Sequence, residues 1–261
     1  MTNSSSNMNK NWQSGGQHMS LREEVKNLFN FKDLFLVFVW REFNIRYRQS
    51  VLGILWAALQ PLSMMLLFTF VFTKIMPVHI SQYPYPIFLY SALLPWSFFA
   101  ASLNYAIPSL VTNYTLITKI YFPREILPLS GIAIAIVDFC IAALFLILLM
   151  IYYKTPFTLT TLWVIPLFFI LFLFTTAVCL FLSALNVYYR DVNLAIGFII
   201  QLWFFGTPIF YSIDRVSWHL KLLLFLNPLV FIIENMRRCL LEERSPILWQ
   251  YLIMLIFVCV I

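Results

Sequence analysis

The sequence predicts an all-α integral membrane protein of six transmembrane helices, and three observations carry that prediction. Hydrophobic residues make up 62% of the 261 positions and charged residues only 11%, against about 45–50% apolar and about 25% charged in soluble domains. Apolar runs of about 20 residues, the length of helix that crosses a hydrocarbon core of about 30 Å, recur between charges. The basic residues gather in alternate loops, as the positive-inside bias of membrane helices requires.

The elements follow in chain order. Met1 to Ser20 is rich in Ser, Asn, Gln and Gly and lacks the apolar core of a signal peptide, so residues 1–28 are expected to be a disordered cytoplasmic tail. Residues 29–50 contain seven apolar residues in a row at 34–40, flanked by Lys32, Asp33, Arg41, Glu42, Arg46 and Arg48. That run is too short to cross. Phe31, Leu34, Phe35 and Phe38 keep helical spacing, which predicts an amphipathic helix lying in the cytoplasmic headgroup layer. The six-span domain is then expected over 51–261, with clear apolar runs at 51–75, 87–111, 127–153, 162–187 and 192–212.

Lys74 and Lys154 are the only basic residues in the short loops after spans 1 and 3, while Arg41, Arg46, Arg48, Lys119, Arg124 and Arg190 fall on the other side. The N-terminus is therefore expected in the cytoplasm. Residues 213–246 hold two apolar stretches too short to span, separated by Asn227–Pro228. They predict a re-entrant helical hairpin that dips into the outer leaflet and returns, with its break covered by protein or a water-filled cavity. As a helix, the last run, from Ile247, reaches only about 22 Å by Ile261, and the sequence is expected to continue beyond it.

Several functions are excluded or disfavoured. No G-x-x-x-x-G-K-[ST] motif is present among six glycines, so this chain has no phosphate loop with which to hydrolyse ATP. No Ser/His/Asp constellation points to an enzyme. The three histidines and four cysteines lack metal-ligand spacing, and no metal is expected. The net charge of +6 lies in loops beside membrane runs and implies lipid headgroups as partners, not nucleic acid.

The charges and aromatics that remain carry the functional reading. Asp138 sits near the middle of span 3, where an acid costs about 2.5–3.5 kcal/mol unless paired or hydrated. It needs a partner. Tyr90, Trp96, Phe98, Phe99, Trp203, Phe204 and Tyr211, with Asp138, are the candidates to line a path through the membrane. Leu226, Asn227, Pro228 and Leu229, at the break of the hairpin, are candidates for an outer gate that two copies could narrow.

Six stretches remain: REFNIRYRQSVLGILWAALQPL at 41–62, LLPWSFF at 93–99, ITKIYFPREILPLS at 117–130, NVYYRDV at 186–192, TPIFY at 207–211 and LNPL at 226–229. In order and spacing they resemble the permeases of type-2 ABC transporters that export polysaccharides. The resemblance implies a homodimer with two ATPase subunits, which hold ATP and Mg, exporting a polyprenyl-pyrophosphate-linked glycan such as O-antigen, capsule or teichoic acid. It places the approach to span 1 at Arg41, Arg46, Tyr47 and Arg48. It places the ATPase-coupling segment at Lys119, Tyr121, Phe122, Pro123, Arg124 and Glu125, with Arg190 and Asp191 as a second contact or a local charge pair. A type-2 permease for drugs or small lipids is the nearer alternative. An ion-driven secondary transporter, with Asp138 as proton relay, is disfavoured by the single intramembrane acid and the lack of an internal repeat.

Overall fold

The computed structural model describes residues 30–48, 50–75, 83–213, 216–247 and 250, and every regular element among them is helical. The expected tail over 1–28 and most of the expected last span lie outside the described residues. Helix α1 is Lys32–Tyr47. The chain then turns at Gly53, whose φ of +51° favours glycine; nothing lies within 4 Å of a Cβ added there, so backbone conformation and not crowding selects it. Helix α2, Trp56–Phe70, continues into a wider π-type turn at Val71–Ile75.

Helix α3 is Tyr85–Ala106, with Pro86 in its first turn, where a missing amide costs nothing. Two short helices, α4 at Ser109–Thr112 and α5 at Tyr114–Ile117, lead to α6 at Ile126–Tyr152. A 3-10 turn at Leu159–Trp163 opens α7, Val164–Tyr188. Helix α8 is Asp191–Phe205, and α9 and α10 are Trp218–Leu224 and Pro228–Leu240.

Four helical stretches, Gly53–Ile75, Tyr85–Thr112, Ile126–Tyr152 and Leu159–Tyr188, are long and apolar enough to cross a membrane. They match the first four expected runs to within three residues at each end. The fifth departs from expectation. Its apolar run extends to Ser212, but α8 ends at Phe205, because Gly206 and Pro208 follow and proline cannot continue a helix. The bent pair α9 and α10 makes a 105° corner. Its cause is local: Asn227 accepts a hydrogen bond from the Leu229 amide and caps α10, while Pro228 takes the first helical position.

Helix α3 is the core of the bundle. Its apolar window is 78% buried, against 17–39% for the other three, and α6 packs along most of its length. The contact depends on Gly131. A Cβ there would lie 3.0 Å from the Tyr105 carbonyl carbon and 3.1 Å from the Ala106 nitrogen, backbone atoms that cannot swing aside. Gly131→Ala is expected to cost about 1–3 kcal/mol, read as a lower melting temperature of the permease in mild detergent; an unchanged melt would show that the two helices separate freely. Tyr90 adds a polar tie by donating its hydroxyl to the Ala142 carbonyl at 3.0 Å.

Candidate functional site

The bundle has two distinguishable ends. At the one where α6 begins, α1 is clamped to the loop between α3 and α6. Phe38, 4% exposed, packs its ring 5.6 Å from that of Phe122 and joins Ile126 and Leu127 in a small apolar cluster. Arg41 donates to Asn113 Oδ1 at 2.7 Å and pairs with Glu42. At its C-terminal end, α1 delivers Tyr47, whose hydroxyl donates to Asp138. Asp138 lies twelve residues beyond Ile126, about 18 Å up the helix. Helix α1 therefore climbs beside α6, and its opposite side leaves Leu36, Val37, Trp40 and Ile45 exposed.

Asp138 thus has its partners. Tyr47 and Tyr105 donate to its two oxygens, the latter at 3.0 Å, and the Arg46 guanidinium stands 3.6 Å away while stacking 3.5 Å over the Tyr105 ring. Arg48, the fourth residue expected at the approach to the membrane, is exposed.

This cluster forms part of the wall of a cavity of about 760 Å³ between α2, α3, α6 and α8. Its lining mixes rings, among them Trp56, Trp96 and Phe204, with the amides of Gln60, Asn104 and Gln201. Aromatic faces beside amide donors and acceptors form a surface that can touch both sides of a sugar ring, stacking on its C–H face and bonding its hydroxyls. Toward the other end of the bundle, Phe68 and Phe204 of the lining pack on Phe210 at 5.8 and 6.0 Å, and Phe210 on Phe72 at 6.1 Å, so that rings are stacked beyond the cavity.

The conduit candidates divide accordingly. Trp96, Phe98, Phe204 and Asp138 border the cavity. Tyr90 and Phe99 have no exposed surface, so their rings are interior packing in this conformation. Trp203 packs edge-on to Phe99 at 5.0 Å and donates Nε1–H to Asn227 at 2.9 Å. Tyr211 lies in the non-helical stretch after α8, its ring against Phe210. Of the coupling candidates, Lys119, Tyr121, Arg124, Glu125, Arg190 and Asp191 are exposed at the α1 end, Pro123 is half-buried, and Phe122 is the buried anchor beneath them.

In the candidate gate, Leu226 is 70% exposed, whereas Pro228 and Leu229 are buried. Asn227 also donates from Nδ2 to Thr207 Oγ1 at 3.0 Å, which fastens the corner to the end of α8. Among the described residues, no group of three His, Cys, Asp or Glu side chains converges as metal ligands would.

Residues 33–241 match the ABC-2 type transporter family. The chain belongs to that family. Three of its relatives are named O-antigen export system permease protein RfbA. The one from Myxococcus xanthus is 32% identical over 229 residues, covering 85% of each chain. Two from Klebsiella pneumoniae are 32% identical over 237 residues and 33% over 221, covering 90% and 84% of each chain. As an ABC-2 permease, the chain is a multi-pass membrane transport subunit and not an enzyme.

One residue of this family member escaped the sequence reading. Arg237, on α10, is 3% exposed and donates to the backbone carbonyls of Pro208 at 2.7 Å, of Tyr211 at 3.4 Å and of Ile209. It pairs with Glu234 at 3.6 Å and lies 3.8 Å over the Phe88 ring. The signal in the sequence is that Arg215, Lys221, Arg237, Arg238 and Arg244 run against the positive-inside bias and are largely offset by Asp214, Glu234, Glu242 and Glu243, which reads as loop charge.

Proposed function

We propose that this chain is the permease subunit of an exporter of polyprenyl-pyrophosphate-linked polysaccharide in the bacterial inner membrane. Two copies act with two ATPase subunits that bind ATP and Mg. The observation that carries the reading is the cavity: its volume of about 760 Å³, aromatic walls and interspersed amides suit a chain of sugars passing through without strong binding at any one ring. The names of the three relatives support the same cargo.

The α1 end faces the cytoplasm in this reading, with the N-terminus. That orientation puts the exposed Lys119, Tyr121, Arg124 and Glu125, with Arg190 and Asp191 beside them, where an ATPase can bind. Phe122 would pass the movement of that segment to Phe38 and so to α1. In this reading the bent pair enters from the outer face and returns to it, and the cavity that Lys221 on α9 shares with Leu241 beyond α10 supports that return.

The test uses the permease with its ATPase in proteoliposomes. Arg124→Glu is expected to leave ATP hydrolysis measurable while glycan export falls at least about tenfold, since reversing a charge at a contact costs several kcal/mol of wrong pairing. Export at the wild-type rate, or labelling of a cysteine at 124 only from outside, would sink the reading.

A further inference from the structure

We propose that Arg46 is the binding site for the phosphate groups of the cargo's lipid carrier, with Asp138 as the resting partner that the phosphate displaces; the inference rests on the exporter reading above. A phosphate group moving through the bilayer interior needs a countercharge at that depth, because an unpaired ion there carries a penalty of several kcal/mol. Arg46 is the only lysine or arginine that lines the main cavity among the described residues.

The arrangement suits exchange. Both Asp138 oxygens already accept from tyrosine hydroxyls, and the Arg46 pair, at 3.6 Å, is longer than a hydrogen bond. Asp138 therefore stays hydrogen-bonded when Arg46 turns away. Stacking over Tyr105 fixes the plane of the guanidinium, and a planar fork held in this way is the group that meets phosphate oxygens two at a time. The side chain is 35% exposed and lines the cavity.

A second observation gives the path. Arg46, Asn104 and Tyr105 also line a smaller cavity of about 240 Å³ that reaches the α1 end past Ser109, Thr112 and Asn113. The same three side chains form the wall between the two spaces. When Arg46 follows a phosphate inward the wall opens, so the site that recognises the headgroup is also the door it passes.

The test uses the permease with its ATPase in nanodiscs of phosphatidylcholine, titrated calorimetrically with geranylgeranyl diphosphate, inorganic pyrophosphate and geranylgeraniol. Arg46→Gln is expected to weaken geranylgeranyl diphosphate binding about tenfold or more, and Arg46→Lys to weaken it less, because the charge survives and the fork is lost. Lys154→Gln, a basic residue outside this site, leaves binding unchanged. Competition by pyrophosphate means that the site reads the free anion; none means that it reads the anion only on its lipid.

Equal binding by wild type and Arg46→Gln, or geranylgeraniol binding as well as its diphosphate, overturns the proposal. Should Arg46→Gln fail to fold, Arg46→Lys and the geranylgeraniol comparison still decide it. Glycan export is measured separately on the wild type. Absence of export with Arg46-dependent diphosphate binding defeats the exporter reading alone, and export with Arg46-independent binding defeats the site alone.

Discussion

Arg237→Leu is expected to destabilise the permease by about 3–5 kcal/mol, the range for stripping one partner from a buried charged network. Helix α8 stops at Phe205, and the stretch that follows has no helical ladder for its carbonyls. Inside a membrane such groups must find protein donors. The Arg237 guanidinium supplies them to Pro208, Ile209 and Tyr211 at once. Leucine fills part of the space and offers no donor. Lysine keeps the charge but cannot reach three acceptors in one plane, so Arg237→Lys should melt between wild type and Arg237→Leu in mild detergent. Equal melting of all three would show that water satisfies these carbonyls.

The second large effect is local. Asn227 caps α10, accepts the Trp203 indole hydrogen and donates to Thr207. Loss of a cap alone costs about 0.5–2 kcal/mol, and the two further bonds bring Asn227→Ala to about 2–3 kcal/mol. The corner then opens more often, by roughly 30-fold for each 2 kcal/mol. A cysteine at Leu229, a site 1% exposed in the closed corner, should react with an impermeant maleimide faster by that factor. Asn227→Asp, which keeps the acceptor and loses the donor, should fall between. An unchanged labelling rate would mean that packing of α10 alone keeps the corner shut.

The same two residues mark where sequence stops being sufficient. Hydropathy located four spanning helices because burial in lipid and helical length are both written in residue type. It carried the fifth run through to Ser212, since Ile209 and Phe210 are as apolar in irregular chain as in helix, and only Gly206 and Pro208 marked the end. Asn227–Pro228 was legible as a break because proline acts on its own neighbours. The distant hydrogen-bond partners of Asn227 and Arg237 were not, being 20 to 29 positions away.

Asp138 shows the same division. That it needs a partner follows from the cost of an acid in hydrocarbon, but Tyr47 stands 91 positions off and only the climb of α1 beside α6 brings them together. The aromatic candidates were selected by type, and type does not say which ring faces a cavity; Tyr90 and Phe99 face the protein interior, whereas Trp96 and Phe204 border the space itself.

The cavity and the rings stacked beyond it have an electrical consequence. About 760 Å³ has room for roughly 25 water molecules, and a column of water conducts where hydrocarbon insulates. Across a cavity filled in this way, the transmembrane voltage would not fall evenly over the thickness of the bilayer. With water filling the cavity from one side, it would be concentrated over the short stack from Phe68 and Phe204 through Phe210 to Phe72 and Tyr85, which would serve as the dielectric of a thin capacitor. In an ABC-2 permease that holds no cargo, those few rings would be what holds back protons along this path.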